Sequence, residues 1–174
     1  MKLTPTPGQT IGPFFGYALP YDDDWALVPP GRADSVRLHG RVLDGAGDPI
    51  PDALVELWQA APAGAVPRSA GILKRDGFTF TGWGRASTDD TGHYSFSTVI
   101  PGAPFFALTV FARGLLSRLF TRAYLPAYAG DPFLQTVDPA RRHTLVATAD
   151  DAGFLFDIRL QGDDETVFLT FPRH

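Results

Sequence analysis

The sequence predicts an all-β fold: an antiparallel two-sheet β-sandwich with long loops, preceded by an irregular N-terminal arm. Three observations carry this expectation. Short segments alternate apolar and polar residues with a period of two, turn signals rich in Gly, Pro and Asp separate them at close spacing, and helical periodicity is almost absent. The 174 residues suit one domain able to bury roughly 70% of its unfolded surface without staples. The expected division is an arm over 1–34 and a sandwich over 35–174.

The arm holds a dense set of Pro and Gly mixed with Phe14, Phe15, Tyr17, Tyr21 and Trp25. Disordered segments are poor in aromatics because they have nothing to bury them against, so this arm is expected to lie on its own domain or on another chain. From Ser35 the period becomes two, with Val36, Leu38 and Val42 alternating with Arg37, His39 and Arg41. A turn over Asp44 to Pro49 precedes a strand from Ala53 to Trp58, and Gln59 to Phe80 reads as loop. Gly84 to Thr88 and His93 to Val99 flank Asp89-Asp90-Thr91-Gly92, a turn whose Gly can take positive φ; Tyr94 and Phe96 then face the core.

The longest apolar run, Pro101 to Gly114, is the expected central strand. Phe105, Ala107, Thr109 and Phe111 point one way and Phe106, Leu108, Val110 and Ala112 the other. Neither face carries a charge, so both should be covered. Ser117 to Tyr124 is the next strand, followed by a Pro/Gly-broken stretch to Gln135. Asp138-Pro139 can start a short helix, with Asp as N-cap and Pro at the first helical position. Leu145 to Ala149, Phe154 to Leu160 and Thr166 to Phe171 complete a meander with Phe154, Phe156, Ile158 and Leu160 on one face.

Composition excludes several classes. Without cysteine there are no disulfides, thiolate metal sites or cysteine nucleophiles, which fits a reducing compartment. The N-terminus has no signal-type apolar core and no run reaches the roughly 18 residues of a membrane span, so a cytoplasmic, soluble protein is expected. The net charge is -4 and the Lys and Arg residues are dispersed, which argues against nucleic acid as a partner.

Composition and spacing do not single out an active site. His39, His93, His143 and His174 form no His-x-His or His-Glu-x-x-His arrangement. The acidic pairs Asp22-Asp23-Asp24, Asp89-Asp90, Asp150-Asp151 and Asp163-Asp164 fall in turns, where Asp caps backbone amides. Arg113, Arg122, Arg141 and Arg142 differ, because an arginine leaving an apolar strand or alternating with aromatics must find a partner or solvent. For Arg113, a structural salt bridge and a bound carboxylate are both open.

Six pieces in this order then form a pattern: Gln9-Thr10-Ile11-Gly12-Pro13-Phe14-Phe15; Leu38-His39-Gly40-Arg41-Val42; Leu54-Val55-Glu56-Leu57-Trp58-Gln59-Ala60; Asp90-Thr91-Gly92-His93-Tyr94-Ser95-Phe96; Pro101-Gly102; and Phe111-Ala112-Arg113-Gly114. The ending, Phe156-Asp157-Ile158-Arg159-Leu160-Gln161-Gly162 with Glu165-Thr166-Val167-Phe168, continues it. Together they resemble the intradiol ring-cleavage dioxygenases, above all an alpha-type subunit that works beside an iron-bearing beta subunit.

The resemblance implies a β-sandwich, oxidative cleavage of a catechol ring with O2, and a non-haem Fe(III) held by two tyrosines and two histidines, hard phenolate donors suiting ferric iron. Phe105 and Ala107 stand where the histidines of an iron-bearing subunit would be. The segment for one tyrosine is missing between Gly102 and Ala103, and no tyrosine lies between Tyr21 and Tyr94 to supply the other. The implied cofactor is therefore Fe(III) on the partner beta subunit, with no metal ligand and no catalytic residue in this chain. Thr10, Gly12, Pro13 and Phe14 are implied to line the substrate cleft, and Arg113 to approach a substrate carboxylate, which would select 3,4-dihydroxybenzoate over catechol. Phe14 stands where such subunits often carry Tyr, and Val66 where Phe or Tyr is usual. A second reading is a non-catalytic transthyretin-like or carboxypeptidase-regulatory-like sandwich, whose Gly-x-Val, Ala-x-Val and Asp-x-x-Gly-x-Tyr-x-Phe pattern is similar. The aromatic arm and Phe-Ala-Arg-Gly separate the two, since such binding modules use neither.

Overall fold

The computed structural model describes residues 10–12, 14–68, 76, 78–128 and 130–171. The expectations placed on Gln9, Pro13 and His174 lie outside the described residues. Among the described residues, nine strands form two sheets that face each other. The first joins β1 (Ser35–Leu43), β4 (His93–Val99), β7 (Thr148–Asp150), β8 (Gly153–Leu155) and β9 (Ile158–Arg159) in the order β4-β1-β8-β7, with β9 also on β1. The second joins β2 (Leu54–Trp58), β3 (Trp83–Ser87), β5 (Phe105–Phe111) and β6 (Leu119–Tyr124) in the order β3-β2-β5-β6. The fold is the expected all-β sandwich, with antiparallel pairing dominant.

The alternating pattern fixes the layering. On β1, Leu38 and Val42 are fully buried while His39 and Arg41 lie on the other side. On β5, Phe106, Leu108 and Val110 point into the sandwich with Val55 and Leu57 of β2. Tyr94 and Phe96 of β4 meet them from the opposite sheet, as their positions predict. Burying each such side chain contributes roughly 1.5–3 kcal/mol, so the inner faces set the register. The turn before β4 holds Gly92 at φ 73°, and Asp89 accepts hydrogen bonds from the backbone amides of Thr91 and His93.

Four expectations need correction. The C-terminal strands are not a plain meander, because β8 and β9 both run parallel to β1, pairing Leu38 with Phe154 and Val42 with Ile158. The ribbon breaks between them at Phe156 and Asp157, where the Asp157 carboxylate accepts the Arg41 amide at 2.8 Å. Phe154, Phe156, Ile158 and Leu160 nonetheless share one face against the core. Leu145 closes a 3-10 helix (Pro139–Leu145) capped by Asp138 rather than opening a strand, and 166–171 makes one bridge, Leu169 to Phe120. The stretch after β6 contains a helix, α2 (Pro132–Thr136), whose N-cap Asp131 accepts from Phe133 and Leu134. Finally, the outer face of β5 is only partly covered: Thr109 is buried, but Phe105, Ala107 and Phe111 stay half-buried, met only by short helical segments and loops among the described residues.

Candidate functional site

The arm and the exit of β5 come together. The Ile11 amide donates to the Leu115 carbonyl at 2.6 Å, and the Gly114 amide donates to the Ile11 carbonyl at 3.3 Å. This two-bond ladder lays the Thr10–Gly12 backbone beside the turn that carries Arg113, with Gly114 at φ 87°. The arm then forms one helical turn, α1 (Phe15–Ala18), over the end of the central strand, with the rings of Phe15 and Phe111 6.1 Å apart. Farther along, Arg85 of β3 donates to the Leu19 carbonyl at 2.8 Å and to Glu56 of β2 at 2.7 Å, tying the arm to the sheet.

Arg113 has a partner. Its Nε lies 2.7 Å from Oδ2 of Asp52, with side-chain exposures of 60% and 13% respectively. The contact is an ion pair rather than an aligned hydrogen bond, since neither buried Asp52 oxygen meets a donor in hydrogen-bonding geometry among the described residues. Arg113 and Leu115 line one side of an open cleft of about 470 Å³, with Pro49, Pro51, Leu160 and Gln161 among the other walls. That volume falls in the range of small-molecule sites; its walls carry one cation, Arg113, and one carboxylate, Asp44, whose Oδ1 is taken up by the Ala46 and Asp48 amides.

The other residues expected at the site are arranged differently. Thr10 and Gly12 are exposed on either side of the laddered Ile11. Phe14 is 80% exposed at the head of α1, with Tyr17 beside it at 83%. Arg122 is not a free cation: it stacks over Phe105 at 4.0 Å and Phe133 at 4.7 Å and donates to the Tyr124 hydroxyl at 3.0 Å. Burial, helped by Asp131, pushes the Tyr124 phenol up. Arg141 pairs with Glu165, while Arg142 donates to Gln135 and Val137.

The position where iron ligands would stand does not fit a ferric ion. Phe105 and Ala107 line a trough of about 500 Å³ on the outer face of β5, together with Trp58, Arg118, Phe120 and Arg122. Phe105 and Ala107 offer no lone pair, the Glu56 carboxylate that also lines the trough is taken up by Arg85, and the stacked guanidinium repels a cation. Among the described residues no group of three or more His, Asp or Glu could hold a metal.

The histidines do other work. His39 Nε2 sits 3.0 Å from Asp150 Oδ2, joining β1 to the β7–β8 hairpin. His93 is pushed down from its usual value by burial and then by Arg37, whose Nη2 lies 3.4 Å from its Nε2; Asp89 opposes this. His143 faces Asp164 at 3.6 Å. Among the described residues no helix is long and apolar enough to cross a membrane.

The sandwich, with its arm stitched beside an arginine at the central strand's exit, matches a known class. The family profile described as Dioxygenase covers residues 11–128, and the chain belongs to the intradiol ring-cleavage dioxygenase family. It is 38% identical to the protocatechuate 3,4-dioxygenase alpha chain of Burkholderia cepacia, over 95% of this chain and 97% of that one. To the beta chain of the same enzyme in that organism it is 35% identical, over 73% of this chain and 64% of the other. Among solved structures, the dioxygenase domain of a dioxygenase carbohydrate-binding fusion from Streptomyces sp. SirexAA-E superposes with a TM-score of 0.58 at 26% identity, covering 91% of this chain and 99% of that domain.

Asp52 escaped the sequence reading. A lone Asp after Pro in a turn looks like a backbone cap, and only the register of β2 against β5, which pairs Leu54 with Phe111, brings it to Arg113.

Proposed function

We propose that this chain is the alpha subunit of protocatechuate 3,4-dioxygenase, which works as an αβ hetero-oligomer with an iron-bearing beta subunit. The assembled enzyme cleaves 3,4-dihydroxybenzoate between its two hydroxylated carbons, inserting both atoms of O2 to give 3-carboxy-cis,cis-muconate. Fe(III) chemistry belongs to the beta subunit in this scheme. This chain shapes the substrate pocket with Thr10, Gly12, Pro13 and Phe14 and supplies Arg113 for the carboxylate. The observation that carries the reading is the ladder between Ile11 and 114–115, which sets the arm against the turn of Arg113. The exposed Phe14 and Tyr17 support it too, since large aromatics left in water on an ordered segment suit a partner chain.

The test is Arg113→Ala in the assembled αβ enzyme. Losing one side of a guanidinium–carboxylate pair costs about 2–5 kcal/mol when the pair is dry. With Arg113 60% exposed in the single chain, the lower end applies, about 2 kcal/mol or ~30-fold in kcat/KM for protocatechuate. Catechol turnover should barely change. Equal losses on both substrates would refute the carboxylate role.

A further inference from the structure

We propose that Asp52 is a positioning residue for Arg113, holding the guanidinium by its Nε side at the mouth of the cleft so that its outer N–H edge is presented to the substrate carboxylate. This rests on the assignment of Arg113 to that carboxylate. The asymmetry of the pair is the first argument. Arg113, largely exposed, could be satisfied by water alone. Asp52 could not, since both its carboxylate oxygens are buried with no aligned donor among the described residues, and a desolvated carboxylate is costly unless a cation stands by it. The arrangement therefore fixes the arginine more than it serves it.

The anchor itself is rigid. The Thr88 hydroxyl donates to the Ile50 carbonyl at 2.7 Å and accepts the Ala53 amide at 2.9 Å, clasping the backbone on both sides of Asp52. The Thr88 amide in turn donates to the Ala53 carbonyl at 2.9 Å. The arm passes close to the same point, since a Cβ added to Gly16 of α1 would lie 3.4 Å from the Asp52 carbonyl oxygen. Arg113, by contrast, rides on a surface turn and has a long side chain whose freedom must be given up when it binds a ligand. An arginine presents its donors as a planar fork, so with the Asp52 carboxylate beside Nε the two terminal nitrogens remain for a bidentate contact with a carboxylate. Pairing with Asp52 also cancels most of the charge that would attract anions from a distance. Selectivity at this cleft then depends on geometry more than on long-range attraction.

The test uses Asp52→Asn in the assembled αβ enzyme, read by kinetics with protocatechuate and catechol and by anaerobic calorimetric binding of protocatechuate. KM and Kd for protocatechuate should rise ~10-fold as the guanidinium loses its anchor, with kcat and all catechol parameters nearly unchanged. Asp52→Asn placed on top of Arg113→Ala should add nothing further. Should Asp52→Asn fail to assemble, Arg113→Lys replaces it: the charge is kept and the fork is lost, and the same rise in KM is expected. Tighter or unchanged binding in Asp52→Asn, or full affinity in Arg113→Lys, overturns the positioning role while leaving Arg113→Ala free to support its carboxylate contact. If Arg113→Ala itself causes no selective loss, the reading of Arg113 falls and the role of Asp52 falls with it.

Discussion

Arg85 holds three parts of the molecule at one point, so its removal is a sensitive probe of how the arm is fixed. Its guanidinium pairs with Glu56 at 2.7 Å, donates to Leu19 of the arm at 2.8 Å, and lies 5.1 Å from the centre of the Trp83 ring. The two charged side chains are only 12% and 15% exposed. In Arg85→Met the hydrocarbon stem is kept and Glu56 is left buried without its cation, which costs about 3–5 kcal/mol. For a domain of this size each kcal/mol lowers Tm by about 2–4 °C, so a fall of roughly 6–20 °C is expected by calorimetry. Glu56→Gln combined with Arg85→Met removes the stranded charge and should recover all but about 1–2 kcal/mol. The arm should loosen in both variants, seen as faster amide exchange at Tyr17, Ala18 and Leu19. If Arg85→Met costs under about 1 kcal/mol, or if the double variant loses the sum of the two singles, the pair behaves as a surface ion pair and the reasoning fails.

Two further predictions concern the first sheet. In Gly40→Ala the new methyl would lie 2.0 Å from the Phe156 carbonyl oxygen and 2.5 Å from its carbon, backbone atoms that also receive the Tyr94 hydroxyl at 2.6 Å; the cost should reach about 3 kcal/mol by urea unfolding, and a loss under 1 kcal/mol would contradict it. His93, held below its usual value mainly by burial and then by Arg37, takes up its proton more readily when unfolded. Stability should therefore fall as pH drops below about 6.5. Arg41, Asp89, His39 and Asp150 all bear on this region, so the check is comparative: His93→Gln should flatten the urea midpoint between pH 5 and 7, and an unchanged slope would assign it elsewhere.

Five of the first six strands were legible within a residue or two because turns of definite chemistry bound them; the central strand, expected over 101–114 from its apolar run, forms only over 105–111. The later chain was harder for two physical reasons. A parallel partner more than a hundred residues away leaves no local mark, so 153–159 reads as an ordinary meander although it runs beside β1. An Asp-Pro start identified the 3-10 helix at Asp138, yet the same pair at Asp131-Pro132 was masked by the surrounding Pro and Gly, and α2 went unread. For the candidate site, the motifs point to the arm and Arg113, which the structure sets side by side, but the Arg113–Asp52 pair depends on sheet register and leaves no mark in the sequence.

The outer face of β5 shows why one strand can be read correctly and still mislead. With a period of two, its inward residues Phe106, Leu108 and Val110 are held by packing against β1 and β4, while its outward residues answer to other demands. The inner set is tightly constrained, because losing any one of these buried side chains to Ala would cost about 2–5 kcal/mol. The outer set is released from that constraint. Phe105 is covered by the Arg122 guanidinium and packs in a second cluster with Tyr124, Leu134 and Leu145, and Ala107 opens space beside Trp58, which is 46% exposed. The packing of the core therefore does not depend on what the outer face carries. A chain 35% identical to a beta chain can thus keep the inner face of the sandwich whatever its outer face carries, and at the strand's exit Arg113 meets Asp52 and the arm.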